Sequence, residues 1–251
     1  MTTTLDRLPP IRGFIPSTLI DWPGRIAAIL FLPSCNLRCA YCHAGPLLTA
    51  EQAEVIPFAE VRRYLESKKG WIDGVVICGG EPTLQPKLSA LCDELHGLGL
   101  AVKLDTNGTR PEILSPLIDE RRLDAVSMDI KTALDGRMVE VARCEVDLEA
   151  IEKSIGLLIA AGAKKDGPRL EIEFRTTCCP AFVDAAAVEW IARHLSDRAG
   201  PAGVPYVLQR FDPQHALEPE LREMKPYAVG EMESLLAVAR RFNPPSRLRN
   251  A

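Results

Sequence analysis

The sequence lacks any long apolar run: the longest, Ile26 to Leu32, falls far short of the roughly 20 residues a membrane-spanning helix needs. The opening MTTTLDRLPPIRG also lacks the apolar stretch of a secretory leader, so a cytoplasmic protein without membrane attachment is expected. Neither sign of charge dominates. Thirty basic and 34 acidic residues are interspersed, for a formal net charge of −4, which provides no broad positive field for holding nucleic acid. No internal repeat or low-complexity tract is present, and a chain 47% apolar and 25% charged has the composition of an ordinary globular protein.

At 251 residues the chain lies within the range of a single core. One domain is expected over residues 13–242, with 1–12 and 243–251 as flexible ends. Apolar or β-rich runs at 26–32, 74–77, 101–105, 125–130, 170–176 and 206–209 predict six buried parallel strands. Helical periodicity predicts helices over 58–69, 86–98, 111–117, 148–161, 184–195 and 226–241, with Gly99 and Gly162 as C-terminal caps. This alternation predicts an α/β fold with right-handed crossovers and a parallel sheet, an incomplete (β/α)6 TIM-like barrel.

In such sheets ligands lie at the C-terminal ends of the strands. A cysteine-rich loop follows the first predicted strand and CGGEPT the second. DTNG closes the third and DIK the fourth, Arg175 falls at the end of the fifth, and QRFD follows the sixth.

Eight cysteines in a small secreted chain would suggest disulfides, but in a cytosolic chain of this length a cluster points to metal. Cys78, Cys92, Cys144 and the adjacent Cys178 and Cys179 are scattered. Cys35, Cys39 and Cys42, in CNLRCAYC, are spaced C-x-x-x-C-x-x-C. Three thiolates on one loop can each bind one iron of a cubane cluster and leave the fourth iron open. A structural zinc site would need a fourth ligand, and no second C-x-x-C supplies one; His43 as that ligand, and unliganded thiols, are the plainer readings.

CNLRCAYC, with Tyr41 before the third cysteine, resembles the signature loop of the radical S-adenosylmethionine (SAM) superfamily. The stretch GFIPSTLIDWPGRIAAILFLPSCNLRCAYCHAG narrows the likeness to activating enzymes of glycyl radical proteins, of the anaerobic ribonucleoside-triphosphate reductase activating type. The resemblance implies a [4Fe-4S] cluster on Cys35, Cys39 and Cys42, whose open iron is chelated by SAM. It implies reductive cleavage of SAM to a 5′-deoxyadenosyl radical, a glycyl radical enzyme as protein substrate, and a flavodoxin- or ferredoxin-type electron donor.

The same resemblance extends to the other strand ends. Gly79, Gly80 and Glu81 are similar to the motif that binds the methionine amino group. Asp129 and Lys131, in DIK, together with Arg175, resemble cofactor contacts, as does Tyr41. Asp105, Thr106 and Asn107, at the end of the third predicted strand, resemble cofactor-site residues, of which the aspartate and threonine can help hold a monovalent cation. Departures are an Ala-Gly-Pro after His43 and no histidine near the sixth strand end.

From the residues alone, Gly-Gly-Glu-Pro is also a strand-to-helix turn, Asn107-Gly108 a common turn pair, the DIK charges an exposed pair and Arg175 a surface arginine. Two further functions fit the sequence. One is a radical SAM enzyme acting on a small molecule such as a deazaguanine precursor; the other is a protein using the cysteines only for structural iron–sulfur or zinc.

Overall fold

The computed structural model describes residues 8–48, 54–164 and 169–249. Its strands are β1 (Gly13–Thr18), β2 (Ala27–Leu32), β3 (Gly74–Gly79), β4 (Ala101–Thr106), β5 (Ala125–Asp129), β6 (Glu171–Cys178), β7 (Tyr206–Arg210) and β8 (Arg247–Arg249). Its α-helices are α1 (Gly45–Leu48), α2 (Phe58–Ser67), α3 (Leu88–Gly97), α4 (Pro111–Asp119), α5 (Arg137–Ala142), α6 (Leu148–Ala163), α7 (Ala185–Ala199), α8 (Pro219–Arg222) and α9 (Val229–Phe242). The α/β class and the mostly parallel sheet agree with expectation, but the sheet has eight strands where six were expected. Among the described residues no helix is long and apolar enough to cross a membrane.

The chain divides into two compact units. The first takes the chain up to Asn36, then Pro46–Thr106 and Glu112–Val126. In it β2, β3 and β4 are parallel neighbours in that order, and β1 adds an antiparallel edge on β2. The run AAILFL is buried at every position but Phe31, as a strand covered on both faces requires. On one face Trp22 packs with Ala27, Ile29, Val76 and Ala125, and Phe31, Cys78 and Ala101 flank them. A Cβ on Gly74 would meet the Trp22 ring at 2.8 Å, so this strand start must stay bare.

The second unit takes Leu37–Gly45, Asn107–Pro111 and the chain from Ser127. Here β6, β7 and β8 are parallel neighbours. Asp147 and Asp184 cap α6 and α7 by accepting from the backbone N–H groups of Ala150 and Ala187.

Four expectations need correction. β1 was hidden because GFIPST is half exposed and carries Pro16, which falls where the register shifts on this edge strand. The end from Asn243, expected to be flexible, is placed as far as Arg249. The fully buried Asn243 amide serves both backbone groups of Val204, and Arg247 and Arg249 donate to Glu173. Gly162 lies inside α6 rather than capping it, against Ile172, where a Cβ would be 2.7 Å from the Ile172 side chain. Finally, β6 runs three residues past Arg175 to Cys178, and Gln209 and Arg210 are the last residues of β7 rather than following it.

Candidate active site

In the first unit the site begins where β2 ends. Ser34 adopts a left-handed conformation (φ 67°), uncommon for a residue with a side chain, immediately before Cys35. Its carbonyl accepts from the Glu81 N–H at 2.7 Å, and the Leu32 carbonyl accepts from the Gly80 N–H at 2.9 Å. Gly79 has φ +124°, and a Cβ on it would collide with Leu32 backbone; a Cβ on Gly80 would collide with the Ser34 carbonyl. The glycine pair therefore admits the chain's own backbone and fixes where the cysteine loop starts.

Glu81 is buried, and its Oε1 accepts from the Thr83 N–H (3.1 Å), the Thr83 hydroxyl (2.6 Å) and the Thr106 hydroxyl (2.8 Å). Thr106 and Asp105 are the last two residues of β4, and consecutive strand residues face opposite ways. Asp105 shares its face with Lys103, whose buried ammonium donates to Asp105 Oδ1 and to the Asp21 carbonyl, both at 2.7 Å. Residue reading overlooked Lys103. The signal was one lysine two places from an aspartate in the otherwise apolar start AVKLD.

In the second unit the Cys42 N–H donates to the Cys39 carbonyl at 2.9 Å, so these two cysteines bracket a tight turn. The Arg38 and Ala40 N–H groups donate to the carbonyls of Ala142 and Val141, and the Ala40 carbonyl accepts from Glu218. These bonds tie the loop to the end of α5 and the start of α8. His43, beside Cys42, turns its Nε2 to the Asp212 carbonyl at 2.7 Å.

Tyr41 is buried with Ala40, Val141, Cys179, Phe211, Ala216 and Leu221. Its ring centroid lies 6.2 Å from that of Phe182 and 6.5 Å from that of Phe211. Burial pushes its hydroxyl well above the ordinary tyrosine range, and that hydroxyl has no hydrogen-bond partner among the described residues. A buried orphan hydroxyl is an unusual feature in a folded chain.

Asp129, Lys131 and Arg175 come together. Asp129 accepts from Lys131 Nζ at 2.8 Å and from Arg175 Nε at 2.9 Å. A backbone bond from the Ile130 N–H to the Arg175 carbonyl, and a side-chain bond from the Thr176 hydroxyl to the Ile130 carbonyl, hold the two segments in register. Burial opposes ionisation of Asp129, but Arg175 and Lys131 outweigh it and hold the carboxyl well below its usual range. Burial likewise opposes charge on Lys131, yet Asp129 outweighs it and raises that pKa well above its ordinary value. Asn107 instead turns back on its own loop, its Oδ1 accepting from the N–H and hydroxyl of Thr109.

No disulfide joins the eight cysteines; Cys35 and Cys42 are half-buried and Cys39 is buried. Among the described residues no group of three or more His, Cys, Asp or Glu side chains is gathered as a metal site. Burial pushes the Cys178 thiol up to about 12, with Cys179 beside it adding to the rise, and raises that of Cys179, which disfavours the thiolate in both.

The family model of the radical SAM superfamily matches residues 29–167. A protein of Methanocaldococcus jannaschii, provisionally named a glycyl-radical enzyme activating enzyme, is 30% identical over 233 residues, 92% of each chain. A 7-carboxy-7-deazaguanine synthase of Thermococcus kodakarensis is 27% identical over 223 residues, 80% of each chain. Among solved structures, a domain of pyruvate-formate lyase-activating enzyme from Bacteroides vulgatus superposes with a TM-score of 0.54 at 18% identity. The superposition covers 70% of this chain and 99% of that one.

Proposed function

Because this chain belongs to the radical SAM superfamily and is therefore a radical SAM enzyme, we propose that it installs a glycyl radical on a partner enzyme, with anaerobic ribonucleotide reductase the model partner. The family implies a [4Fe-4S] cluster and SAM, and the donor chemistry suits them: three cysteines outside any disulfide in a C-x-x-x-C-x-x-C loop, Cys35, Cys39 and Cys42. When bound, cluster and SAM supply a 5′-deoxyadenosyl radical able to take a hydrogen atom from a substrate carbon.

The remaining work falls to the protein. One observation carries the reading above others: Asp129, Lys131 and Arg175 together bear a formal net charge of +1, with side chains 29%, 16% and 11% exposed. A partly shielded cationic excess suits the carboxylate of an amino-acid cofactor, with Lys131 as the point charge and Arg175 contributing a planar fork. Asp129 keeps both cations oriented and holds their protons. Tyr41 and its apolar surround would exclude water from the cofactor's base, and Glu81, fixed by Thr83 and Thr106, would accept from its ammonium. Asn107 belongs to the same proposed set as the residue that shapes the loop after β4. The partner's glycine loop is the substrate, a flavodoxin- or ferredoxin-type protein the electron source, and the cytoplasm the setting in which these thiols stay reduced.

Anaerobic reconstitution tests this directly. Adding SAM should alter the electron paramagnetic resonance signal of the reduced cluster, release 5′-deoxyadenosine, and raise a glycyl doublet on a glycyl radical protein from the same cell. Cleavage with no doublet on any such protein, together with consumption of a deazaguanine precursor, would transfer the reading to the small-molecule class.

A further inference from the structure

Glycyl-radical activases, which this sequence resembles, can carry a monovalent cation beside the aspartate and threonine at the end of the third strand, here Asp105 and Thr106. These two residues do not fit such an ion. The Asp105 carboxylate already holds a cation, the Lys103 ammonium at 2.7 Å, in a pair whose side chains are only 14% and 5% exposed. Thr106 faces away from that pair and gives its hydroxyl proton to Glu81.

Lys103 is anchored for this position. Ala101, two residues earlier on the same face of β4, packs against the Trp22 layer. From above that layer Lys103 reaches forward to Asp105 and across to the carbonyl of Asp21, the residue before Trp22. The ammonium thus sits between a carboxylate and a backbone carbonyl, the oxygen donors that hard monovalent cations also take. Unlike a free ion, it is delivered by a side chain whose stem lies in the core. A second cation on the same carboxylate would face a like charge in a buried site.

We propose that Lys103 is a tethered cation: its ammonium fills the monovalent-ion position at Asp105, and this enzyme needs no alkali metal. Lys103 is on this account a positioning residue, keeping the end of β4 charge-neutral and in place. The inference rests on the radical SAM reading but not on the identity of the partner.

The first measurement uses the unaltered protein, with and without its cluster, exchanged from potassium or sodium into tetramethylammonium chloride at matched ionic strength. Elemental analysis should find no stoichiometric alkali metal. The melting temperature and the rate of 5′-deoxyadenosine release should be unchanged by the exchange. One alkali ion per chain, or a rate or melting temperature that falls when alkali metal is removed, overturns the proposal whatever any variant does.

The second measurement uses Lys103→Ala, which removes the ammonium together with three methylenes of its stem and leaves the Asp105 carboxylate without that cation. It should melt about 10 °C lower, as expected when one partner of a buried pair is removed. Potassium or ammonium should restore most of that loss, and tetramethylammonium, which has no N–H and whose methyl groups keep its charge away from the oxygens, should not. Lys103→Met, which fills the space with an uncharged chain, should show no such selective rescue. A folded Lys103→Ala protein indifferent to potassium and ammonium also overturns the proposal. Because melting and ion content need neither SAM nor a partner, their failure is distinguishable from failure of the glycyl-radical assignment.

Discussion

Asp105 and Asp129 are the last residues but one and the last, respectively, of their strands, yet the chain treats them in opposite ways. Asp105 meets Lys103 in a shielded pair whose ammonium also donates to the Asp21 carbonyl. Asp129 meets two cations, Lys131 and Arg175, and its side chain keeps 29% of its surface. A balanced, buried pair has no charge left to offer a ligand and serves position. On the function proposed, the second group, two cations to one carboxylate and half-open, would meet the carboxylate of the cofactor. The same residue type at a strand end thus sits in two settings, shielded beside a core lysine in one and partly open between a lysine and an arginine in the other.

The comparison can be broken by changing either aspartate. Asp105→Asn leaves Lys103 buried without its counter-charge and should cost about 3–5 kcal/mol of stability, read by denaturant unfolding. A loss under about 1 kcal/mol would mean the pair is not the structural element described. Asp129→Asn should cost less, about 2 kcal/mol, because solvent screens its partners. It should also change the acid limb of the stability curve. A carboxyl depressed in the folded state contributes stability that is present above the unfolded value of about 4 and lost as pH falls through the folded one. The variant should then be less sensitive to acid than the parent, and parallel curves for the two would contradict the ion group.

Smaller changes sharpen it. Lys131→Ala should weaken SAM binding about tenfold, the scale of one charge-assisted hydrogen bond, with iron content unchanged. Equal loss of iron and SAM would instead place Lys131 in support of the cluster loop. Arg175→Lys keeps the charge and loses the fork, so its effect on SAM affinity should be smallest, about 1 kcal/mol, read in the same titration.

Much of the fold was open to a reading of residues, because β2 to β7 are apolar runs of strand length separated by helical periodicity. β1 and β8 were not, since GFIPST and RLR owe their pairing to neighbours and not to their own hydrophobicity. At the site, the residue types at β3, β4 and β5 ends could be named from their motifs. Their partners could not. That Glu81 is held by Thr106 and Thr83, or that Arg175 crosses to Asp129 while β6 runs on past it, depends on side-chain direction in three dimensions. Lys103 is intermediate. Period-two geometry places it on the face of Asp105, but a lysine in a strand reads by default as solvent-facing until its burial is seen.

The seat of the cysteine loop has a consequence for anyone recombining such proteins. Leu32 and Ser34 meet Gly79, Gly80 and Glu81 through main-chain atoms and bare α-carbons, so no side chain elsewhere can be adjusted to repair a mismatch. The loop and the glycine turn behave as one cassette in two pieces, separated by 36 residues of sequence. Transplanting CNLRCAYC into another barrel should succeed only where the host strand already ends in a paired glycine, or where that turn is transplanted with it.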